Sequence, residues 1–456
     1  MKEVVVVFSD EAAPAALAPE AGEPLLTDVL NAFNVALEPV LQDVGAPDLI
    51  ERPRTEAEQA LSRYFRTEID DGNADALAAR LQALPQVESA YVKPEVENPI
   101  APFDLAAKVA APMAPAGIIP DFVPQQGYLG VAPGGIDANA AWSQPGGDGA
   151  GVAIVDVEGG WCFTHIDLPT VGNGGCRAGT PYPQLSWRNH GTAVLGEIVG
   201  ATNSFGVTGI APAAPFAGVS HNGLGSAKAI QTAASLLAAG DIILLEMHRP
   251  GPRFNYASRA DQRGFIAVEW WPDDFLAIQL AAEKGIIVVE AAGNGAEDLD
   301  DIFYDAAGSG FPATWKNPFR GAADSGAIIV GAGAPPSGTF GPDRSRLDFS
   351  NFGSRVDCQG WGREVVSTGY GDLYAGTGED EWFTSTFSGT SSASPIVTGV
   401  VACLQGVARA RGRPLTPNAV RAHLRTTGSP QTASALAPFT QNIGTRPDLA
   451  ALLPLV

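Results

Sequence analysis

The sequence predicts an α/β fold built on a mainly parallel sheet, with a smaller α+β unit ahead of it. Three observations predict this. From Val152 onward, apolar runs of strand length alternate with helical segments, the mark of βαβ units. Chemically active residues fall at the ends of those runs, where open α/β sheets collect their ligands. The first hundred residues carry their own strand–helix–strand–helix–strand order, which sets them apart as a unit over residues 1–97.

Within that unit, Val4–Phe8 is an apolar strand, and residues 11 to 24, rich in Ala, Pro and Glu, are a loop. Leu25–Leu41 has helical periodicity. Tyr64–Ile69 alternates as a strand does, Asn73–Leu81 is a helix with Asn73 as its cap, and Val87–Lys93 closes the unit as a strand. Residues 98–127 are an Ala/Pro-rich linker, including Ala110-Ala111-Pro112-Met113-Ala114-Pro115. The larger domain occupies 128–456. Its first helix lies in Ile136–Trp142. Strands follow at Val152–Asp156, Ala213–Val219, Asp241–Met247, Gly285–Glu290 and Ala327–Gly331, with helices at Ser226–Ala239 and Asp274–Lys284 between them.

Four segments carry the chemistry. Val152-Ala153-Ile154-Val155-Asp156 reads as a buried parallel strand ending in a carboxylate. Asn189-His190-Gly191-Thr192 places one of only five histidines at the opening of a helix. Val288-Val289-Glu290-Ala291-Ala292-Gly293-Asn294 is an apolar strand ending in an amide. Phe387-Ser388-Gly389-Thr390-Ser391 runs through a glycine turn into the apolar helix that continues past Pro395, a residue expected in the first helical turn. Ser391 thereby sits at the positive end of a helix dipole. Each residue alone has an ordinary structural explanation. Together, in the order Asp, His, Ser, they match one of the known chain orders of a serine-protease triad.

On these motifs, and on His165-Ile166-Asp167-Leu168 downstream of the first, the chain resembles the subtilisin-like serine proteases, peptidase family S8, from about residue 128 to 430. The resemblance implies a three-layer fold and an endopeptidase acting on protein or peptide substrates through an acyl-enzyme. Ser391 would be the nucleophile, His190 the general base and Asp156 the group that orients it. Asn294 and the Ser391 backbone N–H would bind the oxyanion; loss of such an amide in subtilisin itself costs about 10²–10³ in turnover. Two departures stand out: Asp156-Val157-Glu158 where the family has Asp followed by Thr or Ser and Gly, and Ser392-Ala393-Ser394 where Met-Ala is usual. The second is shared with the sedolisins, acid proteases of the same fold, which lack the His-Gly-Thr helix and carry Asp in place of Asn294. A catalytically inactive member retained for binding is the rival from outside enzymology. Residues 1–97 resemble the small ferredoxin-like α+β propeptide that inhibits its own protease, strongest over Leu84-Pro85-Gln86-Val87 and the strand to Pro94-Glu95-Val96-Glu97. The chain is thus expected as a self-inhibited precursor whose linker passes the active site.

Other features are less specific. Glu246 and Glu290 end apolar strands where the family has small residues. They are either structural, paired with Arg249, Arg253 or Arg263, or the walls of an acidic S1 pocket. In the latter case cleavage after Lys or Arg follows, and Lys108 in the linker becomes the natural processing position. Glu297-Asp298-Leu299-Asp300-Asp301 has the oxygen chemistry of a structural calcium site, though a solvated loop is the commoner origin of such a cluster. The expected chemistry requires no cofactor and no catalytic metal. Trp270-Trp271 is a packing pair or the rim of a cleft. Of the four cysteines, Cys162 and Cys176 flank one loop, as a disulfide or as thiols. Fifty acidic against 28 basic residues, a net charge of −22, argue against nucleic acid as partner. No membrane span is expected. The N-terminus reads as a strand rather than a secretion signal, so a cytoplasmic location is expected, with secretion left open.

Overall fold

The computed structural model describes residues 1–9, 26–41, 54–100 and 119–456. The expected loop at 11–24 and most of the linker, with Lys108, lie outside the described residues.

The N-terminal unit is an antiparallel sheet of β1 (Lys2–Phe8), β2 (Glu38–Pro39), β3 (Tyr64–Ile69) and β4 (Val87–Lys93), in the order β2-β3-β1-β4. Strand alternation divides β1 between two cores. Val4, Val6 and Phe8 pack with Leu77 and Leu81 of the helix Asp71–Gln82. Val5 and Val7 face the other way and join a cluster containing Ile230 and Ile278 of the large domain. Two expectations are corrected. The helix expected over Leu25–Leu41 covers only Leu26–Phe33, because Asn34 turns left-handed at φ 54° and the chain then pairs as β2 against β3. The next helix starts at Asp71 with Asp70 before it, so Asn73 is not its cap. A helix at Glu56–Leu61 was not anticipated. Its signature is legible in hindsight: Thr55 and Glu58 form a reciprocal capping box.

In the large domain β5 (Ile154–Glu158), β6 (Asn173–Ala178), β7 (Phe216–Ser220), β8 (Ile242–Leu245), β11 (Ile287–Ala291), β12 (Ile328–Gly333) and β13 (Cys358–Trp361) form a seven-stranded parallel sheet, order β13-β12-β11-β8-β5-β7-β6. Between β8 and β11 a small antiparallel pair, β9 (His248–Pro250) and β10 (Phe265–Ala267), forms a shelf beside the sheet edge. Outside the sheet β14 (Val365–Thr368) pairs antiparallel with β15 (Phe383–Phe387), which leads into the Ser391 helix. That helix, Thr390–Ala410, is long and apolar enough to cross a membrane, yet it is buried through the centre of the domain as a core element. Trp270 and Trp271 are likewise fully buried, which settles them as packing residues.

The N-terminal sheet docks on two helices, Ser226–Ser235 and Pro272–Glu283, through a buried polar network. Lys93 Nζ lies 2.6 Å from Asp273, 2.9 Å from Asp274 and 2.9 Å from Ser226 Oγ. Tyr91 donates its hydroxyl to Asp273 at 2.9 Å. Glu3 accepts from Arg66 at 2.8 Å and stands 3.6 Å from Arg249, whose guanidinium also donates to the Pro94 carbonyl. The two aspartates occupy the first turn of their helix, where the backbone dipole favours negative charge. Burial opposes the Lys93 charge, but Asp273, Asp274 and Glu3 together hold its pKa above the usual lysine value. Removing the cation would leave Asp273 with no ion pair and Asp274 with only the more distant Arg249 at 3.8 Å, so Lys93→Met, in a Ser391→Ala background, is expected to destabilise the docked chain by about 3 kcal/mol. Denaturant unfolding checks this; a loss below about 0.5 kcal/mol, the scale of a surface substitution, would show that the apolar contacts alone hold the two units together.

Candidate active site

The strand expected to end at Asp156 runs two residues further, to Glu158. Residues i and i+2 of a strand share a face, so both carboxylates point the same way and Glu158 lies roughly 7 Å nearer the C-terminal edge. The histidine is met there. His190 sits in the second turn of the helix Leu185–Val199 rather than at its opening, and its Nδ1 is 2.5 Å from Glu158 Oε1. Asp156 Oδ2 instead accepts the indole N–H of Trp161 at 2.7 Å. The expected pairing of Asp156 with His190 is therefore replaced by a Glu158–His190 pair. Trp161 also explains Gly191: a Cβ there would stand 2.5 Å from the indole and 2.4 Å from the Gly160 carbonyl.

The serine arrives as expected. Gly389 takes φ 107°, a left-handed value only glycine adopts cheaply, and the helix begins at Thr390. Ser391 is fully buried. Phe387, four residues before it, meets the His190 ring edge-on at 5.5 Å, tying the His190 and Ser391 segments together. Pro395 lies inside the helix, not in its first turn, and withholds the N–H that would have bonded the Ser391 carbonyl. Asn294 is brought to the same place. Its Oδ1 accepts from the Thr390 N–H at 2.9 Å, and its Nδ2 donates to Gln262 Oε1 at 3.0 Å. An amide carries two such protons, so one donor remains for an oxyanion.

The two substrate-pocket glutamates part company. Glu246, just past β8, accepts from Ser394 Oγ and faces Ser391 closely enough that its hydroxyl favours the ionised carboxylate, although the two make no hydrogen bond. Glu290 points to the other side of the sheet, accepts the Glu269 N–H at 3.1 Å and feels the Arg355 guanidinium, itself 2.8 Å from Glu269. Neither pairs with Arg249, Arg253 or Arg263, and the two glutamates do not converge on one pocket, as the alternative of an acidic S1 pocket would require. In the acidic loop after Asn294, Glu297 and Asp301 bind Arg253 at 2.9 and 2.6 Å, and Asp300 accepts from Ser354. Cys162 and Cys176 are free thiols, donating to Asp380 and to the Ala178 carbonyl.

Burial dominates the electrostatics of the site. Asp156, Glu158, Glu197 and Glu246 are all fully buried. Glu158 is pushed well up by burial and then by Asp156 and Glu246; Glu197 by burial and then by Glu246. Asp156 is pushed up to about 7 by burial, with the Trp161 bond opposing. Glu246 rises for the same reason, Ser394 and Ser391 opposing and Asp156 adding to it.

With residues 94–100 in place the site is closed to solvent. Glu97 and His248 exchange both backbone hydrogen bonds, 3.1 and 3.2 Å, as an antiparallel bridge on β9. The Asn98 carbonyl accepts from Gln262 Nε2 at 3.0 Å, and the Pro99 carbonyl accepts from the Ser391 N–H at 3.4 Å. Gln262, held left-handed at φ 53°, was not anticipated, and no local pattern announces it. Glu158 was not anticipated either; its i, i+2 spacing from Asp156 is the signal that could have found it.

A group whose folded pKa is raised stabilises the fold fully below its ordinary range and loses that contribution as pH rises through the folded value. In a Ser391→Ala background, stability is expected to fall between about pH 4, the ordinary carboxylate range, and about 7, the folded value of Asp156. Asp156→Asn, which keeps an acceptor for Trp161, should flatten that fall. Thermal unfolding across this range reads it, and parallel curves for the two proteins would rule Asp156 out as the shifted group.

The subtilase family model, Peptidase_S8, matches residues 164–444, a span that holds His190, Asn294 and Ser391 and begins after Asp156 and Glu158. The chain is 25% identical over 259 residues to subtilisin DY of Bacillus licheniformis, covering 56% of this chain and 77% of that protein. It is 28% identical over 392 residues to an extracellular protease of Xanthomonas campestris, covering 79% and 58% respectively. The M-protease of Shouchella clausii is 28% identical over 265 residues, covering 57% of this chain and 54% of that protein. Among solved structures, the epidermin leader peptide processing serine protease of Staphylococcus aureus shares the fold over 99% of this chain and 98% of its own, with TM-score 0.57 at 16% identity. The parallel sheet, the His190 and Ser391 helices and the matched span agree: the chain belongs to the subtilase family, the subtilisin-like serine proteases of peptidase family S8.

Proposed function

We propose that this chain is a serine endopeptidase made as a self-inhibited precursor, with a Glu158–His190–Ser391 triad in place of the expected Asp156–His190–Ser391. The observation that carries this reading is the 2.5 Å contact between His190 Nδ1 and Glu158. A carboxylate on Nδ1 fixes the imidazole tautomer and stabilises the imidazolium formed when the other nitrogen takes the serine proton. Ser391 then attacks the substrate carbonyl, and His190 returns the proton to the leaving amine. The Ser391 N–H and the remaining Asn294 proton receive the oxyanion. Asp156 lies one strand step behind, held by Trp161, and its part is to set the field around Glu158.

Residues 1–97 act as the inhibitor. Their support is the docked sheet and the strand-like pairing of Glu97 with His248, an addition of substrate-like backbone to an exposed edge. Substrates are peptide segments that lie extended on β9.

Glu158→Gln is expected to lower kcat by about 10⁴, the cost of a wrong tautomer in such a triad. Asp156→Asn should lower it by far less, and Ser391→Ala should abolish labelling by a fluorophosphonate. Peptide hydrolysis measures the first two, and labelling of the full-length chain measures the third. The reverse order of damage would restore Asp156 to the triad.

One observation favours a second mechanism, a sedolisin-like acid protease: Glu246, not a histidine, is the buried acid beside Ser391. His190→Ala separates them. Activity that peaks near pH 4 and survives that substitution identifies Glu246 as the base; its loss at every pH assigns the base to His190.

A further inference from the structure

The segment leaving the N-terminal domain does more than fill the cleft. It presents one bond in register. The antiparallel bridge fixes Glu97 opposite His248, and Gln262 holds the next carbonyl, that of Asn98. The carbonyl after that, Pro99, is the one the Ser391 N–H reaches. The Ile100 N–H turns back to the Asn98 carbonyl at 2.8 Å, so the chain bends at Pro99 and offers the Pro99–Ile100 amide at the turn. Pro99 is buried, as is Ile100. A residue before the scissile bond would ordinarily donate its backbone N–H to the enzyme; proline has none, and its ring already fixes φ near the value an inverse turn needs.

Gln262 is the second half of the argument. Its side-chain oxygen accepts from Asn294 and its nitrogen donates to Asn98, so one amide couples the substrate backbone to the oxyanion donor. A left-handed, buried glutamine is a costly arrangement outside a functional site.

We propose that Pro99–Ile100 is the bond at which the precursor cuts itself, that the enzyme accordingly accepts proline before the scissile bond, and that Gln262 positions the residue preceding that proline. This rests on the serine-protease reading above and names its first substrate. In the step, Ser391 Oγ bonds to the Pro99 carbonyl carbon and the Pro99–Ile100 C–N bond breaks. The serine proton passes through His190 to the Ile100 nitrogen, which leaves as a new amino terminus. Water then hydrolyses the ester, its proton returning to Ser391 through His190 and its hydroxyl remaining on Pro99 as the carboxylate.

The test uses the full-length chain. After incubation, N-terminal sequencing and intact mass should give a mature form beginning at Ile100, absent in Ser391→Ala. Ile100→Pro, which makes the scissile amide tertiary and removes the N–H that closes the turn on the Asn98 carbonyl, should slow its appearance about 10²-fold, the cost of misplacing a reacting group. A quenched decapeptide of residues 94–103 should be cut between its Asn-Pro and Ile halves by the mature enzyme, and Gln262→Ala should raise KM for it more than it lowers kcat. A mature terminus elsewhere, after Lys108 for example, with Pro99–Ile100 intact overturns the proposal while leaving the serine-protease reading in place. So does an enzyme that labels with a fluorophosphonate and cuts other peptides but not this one. A wild-type chain that neither labels nor cuts any peptide overturns both.

Discussion

A carboxylate carried into the interior of a protein must be paired, hydrogen-bonded or neutral, and β5 carries two of them to one sheet edge. The rest of the site follows from how that demand is met. Asp156 is met by the Trp161 indole, which in turn packs where Gly191 leaves no side chain. Glu158 is met by His190. One strand step therefore decides which acid meets the Trp161 indole and which meets the His190 ring. Glu246 lies close enough to raise both Glu158 and Glu197, and is itself raised by burial and by Asp156. Such a cluster sits most comfortably with some of its protons on.

The second constraint is the docking of the N-terminal sheet. It is a buried ionic interface rather than a greasy one at its centre: Lys93 between two aspartates at a helix N-terminus, with Arg66, Glu3 and Arg249 around them. Such networks contribute less to raw stability than to specificity of pose. Pose is what matters here. Lys93 ends β4, Arg249 holds the Pro94 carbonyl, and four residues later the backbone is already paired with β9. A slip of one residue in that docking would bring a different carbonyl to Ser391.

The donors proposed for the oxyanion are tied into the same arrangement. Asn294 is held by Thr390, the residue before the nucleophile, and by Gln262, which also holds the bound segment. Preorganised donors of this kind cost no reorganisation when charge develops. Glu246 works against them when ionised, because it places negative charge beside the hydroxyl whose attack creates more. That opposition links the acidity of the cluster to the chemistry of the serine.

Much of this was legible from residues alone. Apolar runs of fixed length specified the parallel sheet, because strands buried on both faces admit little else. His190, Asn294 and Ser391 were each marked by glycine or by a strand or helix terminus beside them, local signals that survive folding. What the sequence could not decide was set by partners distant in the chain. Asp156 and Glu158 look alike on paper; the two extra residues of β5 and the placing of His190 in the second turn of its helix chose between them. Glu246 and Glu290 both end apolar strands, yet one faces the nucleophile and the other an arginine more than sixty positions away, because successive strand residues face opposite sides of the sheet and only packing says which side is the site. Gln262 and Pro99 carried no signal at all, since their contacts exist only once the segment after β4 lies along β9.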